Sequence, residues 1–151
     1  MTKKTFIDTE VKAAIEEHLK SVTQQTAARW AIDCAEHVIH HYTQKYPKDD
    51  RLQKAIDACC LWIQGGIKVR EVRKASFAAH AAARETDDEV TMATARAVGQ
   101  AVATAHAFGH AIHASTYAVK AVAYAADFDN AAVQNERAWQ YERLLELKKS
   151  M

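Results

Sequence analysis

The chain has 151 residues, 49% of them hydrophobic and 26% charged, with 20 Lys and Arg against 19 Asp and Glu for a net charge of +1. That length fits one domain burying roughly two-thirds of its unfolded surface, and the charge balance excludes a disordered polyelectrolyte and disfavours a dedicated nucleic-acid or acidic-surface binder. One proline, four glycines and about one-fifth alanine supply almost no turn chemistry for hairpins, so an all-β fold is excluded and an all-α fold is expected.

At the N-terminus, Asp8, Glu10 and Lys12 stand where a secretion signal needs an apolar run, and a cytoplasmic protein is expected. Cys34, Cys59 and Cys60 make no disulfide framework or zinc spacing and read as free thiols. Residues 97–119 lack Asp, Glu, Lys and Arg but carry Gln100, Thr104 and three histidines, the pattern of a buried helix rather than a membrane span.

Start and stop signals predict one domain over residues 1–151, a compact bundle or array of about six helices with a central Ala/His-rich helix. The first helix covers about residues 8–22, with Ile7, Val11, Ile15 and Leu19 four apart on one side. The second covers about 26–44 and stops before Tyr46-Pro47, because the residue before a proline is pushed out of the helical region. The third, capped by Asp49 or Asp50, points Leu52, Ile56, Cys59 and Ile63 inward and stops at Gly65-Gly66. The fourth covers about 68–85, and Thr86 to Glu89 form an acidic first turn for the fifth. In the fifth, Glu89, Arg96, Gln100 and Thr104 share one narrow polar face. The sixth, about 110–126, is apolar nearly all round and is expected at the centre. A last, charged helix over about 130–149 has Ala138, Tyr141 and Leu145 as its expected buried stripe.

His106, His110 and His113 fall on one side if a helix runs through Gly109, and His80, or His37 and His41, would complete a metal site. That alternative is a metal-binding helical bundle, hydrolytic or metal-storing; no Glu-x-x-His di-iron pattern occurs. The competing reading has His106 packed and satisfied by neighbouring polar groups. Asp33/His37 and Glu36/His40 read as surface pairs at spacing four, the cysteines as small hydrophobes, and Lys68, Arg70, Arg73 and Lys74 as a solvated face. No nucleophile elbow or phosphate loop is present, so no catalytic residue and no cofactor are implied. Trp139 has only polar helical neighbours, Arg143 among them, the composition of an interface anchor or of a side chain covering the bundle edge.

The segments from Trp30 to His37, from Ala95 to His106 and from Tyr117 to Val122, with Asp49-Asp50-Arg51, the helix around His80 and the stretch from Glu136 to Gln140, resemble a bacterial immunity-protein family with an immunity-protein-5-like domain. The resemblance covers most of the chain. It implies a cytoplasmic protein that binds and neutralises a cognate toxin, and it assigns no residue a role. With no catalytic motif present, the expected action is occlusion without catalysis, and the local composition makes Trp139 and Arg143 the expected partner-binding residues; the near-zero net charge implies no nucleic-acid partner and no membrane partner is expected. A homo-oligomer is also compatible with the alanine-rich faces.

Overall fold

The computed structural model describes residues 4–151 and holds eight helices and no strand among them. They are α1 (Val11–Leu19), α2 (Gln24–Glu36), α3 (His40–Thr43), α4 (Arg51–Ile63), α5 (Val69–Arg84), α6 (Glu89–Ala103), α7 (His110–Ala125) and α8 (Asn130–Lys149). The all-α class is as the composition requires, with more helices than the six expected.

One added element comes from a tightening within the expected second helix. After Glu36 the backbone bonds shorten their reach, Val38 N–H donating to Ala35 and His41 N–H to Val38, each at 3.1 Å. These i to i−3 bonds separate α2 from α3 without leaving helical dihedrals. The shift lets Val38 and Tyr42 both enter the core while His37 turns outward.

Capping follows the sequence closely at several ends. The side chains of Thr23, Asp88 and Asp129 accept from backbone N–H groups three residues on, opening α2, α6 and α8. At the end of α4, Gly66 N–H reaches Leu61 O at 2.8 Å and Gly65 N–H reaches Trp62 O at 2.9 Å, with Gly65 at φ 81°. That double bond through a left-handed glycine satisfies two otherwise orphaned carbonyls.

The hub of the fold is α6, which packs against α2, α3, α4, α5 and α7. The expected central helix, α7, packs against α6, α2 and α8 and keeps His113 exposed. The reason is side-chain size: Ala93, Ala97, Ala101 and Gly99 are buried around α6, so neighbours approach it from several sides.

Gly99 is the closest of these approaches. A Cβ there would stand 2.6 Å from His80 Cε1 and 2.7 Å from its Nε2, inside van der Waals contact. Alanine is ordinarily the better helix former by up to about 1 kcal/mol, but Gly99→Ala should instead destabilise the fold by about 1–3 kcal/mol in a urea melt. Adding His80→Ala should recover most of that loss. A single variant as stable as the parent would mean that the imidazole swings aside freely.

Candidate functional site

The α2/α8 face is assembled from buried polar groups outward. Trp30 on α2 is fully buried and its Nε1–H donates to Gln140 O on α8 at 2.8 Å, which fixes the spacing of the two helices. Beside it, the wholly buried Arg137 donates Nη1–H to Ser115 Oγ at 2.8 Å and to Gln140 Oε1 at 2.9 Å. Its Nε and Nη2 donate to the two carboxylate oxygens of Asp8 at 2.9 and 2.7 Å, and Nη2 also to Thr116 Oγ1 at 2.8 Å. The buried stripe of α8 is therefore Val133, Glu136, Arg137, Gln140 and Leu144, not Ala138, Tyr141 and Leu145. Ala138 is exposed and the other two are only part-buried. Three of the five buried residues are polar, and a reading by hydrophobicity selects the wrong side.

On that frame sits a small surface platform. Glu136, itself buried, accepts from His37 Nδ1–H at 2.7 Å, and the His37 ring lies 3.7 Å from the Trp139 ring at an interplanar angle of 9°. Trp139 is part-buried, so it both covers the bundle edge and offers an open indole surface. Arg143 Nε–H donates to Asp33 Oδ2 at 2.7 Å and its Nη1 to Glu146 at 3.0 Å. The Asp33/His37 pair expected along α2 is thus replaced by pairs across to α8, because a cross-helix partner on a packed neighbour is held in place where an exposed i,i+4 pair is not, and the expected Glu36/His40 pair does not form among the described residues. Asp33, Glu36, His37, Trp139 and Arg143 line an open depression of about 360 Å³. Burial, reinforced by Asp33, raises the Glu36 carboxyl above its ordinary value, and the Asp33 hydrogen bond holds Arg143 more firmly protonated.

The face presents carboxylates, a guanidinium, an imidazole and an indole. The nearest thiol, Cys34, is fully buried and burial drives its pKa far up, as burial also drives Cys59 up to about 12.

The histidines of the metal reading are not gathered. Since α6 ends at Ala103 and α7 begins at His110, Phe108 and Gly109 belong to the turn between helices and the four-residue spacing of His106 and His110 is not a helical one. Their rings meet edge to face with centroids 5.3 Å apart, and His110 Nδ1 bonds Gln100 Oε1 at 2.6 Å. His106 and His113 are exposed, whereas His80 packs on Gly99 with a buried Nδ1 that lacks a hydrogen-bond partner. Among the described residues no three His, Cys, Asp or Glu side chains are placed to hold a metal ion. The basic residues Lys68, Arg70, Arg73 and Lys74 are all exposed, as expected. Among the described residues no helix is long and apolar enough to cross a membrane.

The Imm-5 like putative immunity protein family matches residues 17–147. The chain belongs to this family. No curated protein and no solved structure matches it. The family match takes in the whole of the α2/α8 platform, while Asp8, the carboxylate that closes the Arg137 network, lies outside it.

Charge inside the fold sets a pH dependence with a definite sign. Burial lowers His41, His80, His106 and His110 below the usual 6.5, helped by His40, by Arg96 and Arg84, by Arg73, and by His106 and His113 respectively. As pH falls, the unfolded chain takes up these protons before the folded one does, so stability drops from about pH 7 downward. A second drop belongs to carboxylates held below their ordinary values, Asp49 and Asp8 together with Glu85 and Asp88. Arg51 holds Asp49, which also accepts from Tyr42 at 2.6 Å, well below the usual range, and Arg137 lowers Asp8 against the opposing effect of burial. These carboxylates must protonate below about pH 4, and the raised Glu36 opposes them only partly. Urea midpoints should fall in these two stages; a midpoint that stays flat from about pH 7.5 to 5 would remove the histidine contribution.

Proposed function

We propose that the protein binds and neutralises a cognate bacterial toxin in the cytoplasm of its producer, by covering the toxin's working surface rather than by any reaction of its own. The contact surface is the α2/α8 platform, with Trp139 as anchor and Arg143 beside it. Membership of the immunity-protein family supports the role. The observation that supports the face is the stack of Trp139 on His37, pinned from beneath by buried Glu136. An aromatic side chain ordered before its partner arrives loses little further rotamer freedom on binding, and half-exposed Trp surrounded by charged groups has the make-up of an interface centre.

Trp139→Ala should weaken toxin binding by about 2 kcal/mol, roughly 30-fold in Kd, measured by calorimetry with the purified toxin domain. Protection of cells expressing the toxin should fall in parallel, read at a temperature where the variant, having lost part of its packing against the bundle edge, is still fully folded. Arg143→Ala should do less, since that guanidinium is already engaged by Asp33 and Glu146. Unaltered affinity in Trp139→Ala with an intact fold would move the contact surface elsewhere.

A further inference from the structure

A second, smaller site lies in the groove between α6 and α7. Glu89, Met92 and Arg96 line it from α6, and Tyr117, Lys120 and Tyr124 from α7. The two helices are joined by a short turn, so they run antiparallel and set Arg96 near Tyr117 and Glu89 near Tyr124; the nearness of Glu89 is felt at Tyr124, whose hydroxyl, already raised by burial, is raised further by that charge. The half-open groove offers about 150 Å³, about the volume that accepts a single benzene ring and well short of a drug-sized pocket.

Its two cations differ from the arginines that brace the fold. Arg51, Arg137 and Arg143 are each tied to carboxylates. Arg96 and Lys120 are part-buried, and neither has an ion pair or hydrogen bond to another side chain among the described residues. Lys120 Nζ lies 5.1 Å from the Tyr117 ring centroid and 5.8 Å from that of Phe6, a position above aromatic faces that leaves its charge open to an anion. Two cations partly withdrawn from water with no counter-charge are stabilised by any anion that enters between them.

We propose that this pocket binds a free single-ring aromatic carboxylate, the ring lying among Tyr117, Tyr124 and Met92 and the carboxylate between Arg96 and Lys120. Glu89 stands two turns from Arg96, about 10 Å along the α6 axis, and disfavours a second acidic group at the far end of the ligand. This site is independent of the α2/α8 platform and of the toxin reading.

The test is a titration of the whole chain with benzoate, followed by amide NMR shifts and calorimetry. Saturable one-to-one binding is expected with a Kd on the order of 1 mM or below, with shifts confined to α6 and α7. The Arg96→Gln, Lys120→Gln double variant should bind at least about tenfold more weakly while keeping the parent melting temperature, because neither side chain has an ion-pair partner to lose. Absence of saturation, or equal binding by the double variant, overturns the proposal. Benzylamine offers the same ring with the opposite charge, and equal binding of it would show a pocket that selects rings alone and overturn the anion assignment. A short peptide ending in phenylalanine carries the same chemistry on a chain end. Tighter capture of that peptide than of benzoate would overturn the free-acid assignment.

Discussion

Replacing Arg137 by alanine should remove about 3–5 kcal/mol of stability, seen as a lower urea midpoint. A guanidinium has five N–H donors, and here each has an acceptor: two on Asp8, one each on Ser115, Thr116 and Gln140. The side chain is fully buried while the Asp8 side chain is 22% exposed, so the charge is closed in from the protein side and compensated at the rim. Truncation strands the Asp8 carboxylate and leaves Gln140 Oε1 without that donor, on top of the lost packing. Asp8→Ala is the complementary test. It leaves the buried cation uncompensated and should cost about as much, so the two changes together should cost far less than their sum. Arg137→Lys should recover only part of the loss, since an ammonium brings three donors and cannot reproduce the fork on Asp8. A loss under about 1 kcal/mol in Arg137→Ala would mean that water enters and takes over the five acceptors.

The same residues show where the sequence was legible and where it was not. Local chemistry was readable: Asp88 and Gly65-Gly66 act through their own backbone neighbours, and each marks a helix end as expected, while Thr23 caps α2 by the same local chemistry without having been singled out. The all-α class and the small-residue surface of α6 were likewise legible, because alanine spacing is itself the packing signal. What depends on partners distant in sequence was not. The buried stripe of α8 is largely polar and becomes internal only because Asp8 and the Ser115 region arrive to satisfy it. Its three-and-four spacing, from Val133 through Arg137, Gln140 and Leu144, was visible as a pattern but carried the wrong chemistry for a core. At the platform, Trp139 was singled out by its polar neighbours, yet nothing local said that it stacks on His37, 102 positions earlier (139 − 37). The histidine cluster failed for a converse reason. Spacing alone placed His106, His110 and His113 on one helix, whereas the turn at Phe108-Gly109 splits them, so His106 and His110 meet across the turn and no third ligand joins them among the described residues. The end of α7 also lacks its usual glycine: Asp127 and Phe128 take φ of 51° and 62°, and the Phe128 N–H bond to Ala123 O at 2.7 Å closes the helix.

Trp30→Ala should cost about 3–5 kcal/mol, and the way that loss divides says what holds α2 to α8. The indole is wholly buried among alanines and branched side chains, and it supplies one donor across the helix interface, to Gln140 O at 2.8 Å. Trp30→Phe keeps most of the apolar contact but removes that donor and leaves a gap where the second ring stood, so it should cost about 1–3 kcal/mol. Because Gln140 O sits inside a helix and retains its intrahelical partner, most of the Phe variant's loss should be packing. The consequence for function follows from position. Trp30 does not line the surface depression, yet it bonds across the helices carrying His37 and Trp139. If the α2/α8 face is the toxin contact, Trp30→Phe should loosen the His37 to Trp139 stack and weaken toxin binding at a temperature where the variant is still fully folded. Parent-like affinity in a folded but destabilised Trp30→Phe would show that the platform holds its shape without this bond, and that Glu136 and Arg143 alone suffice to position it.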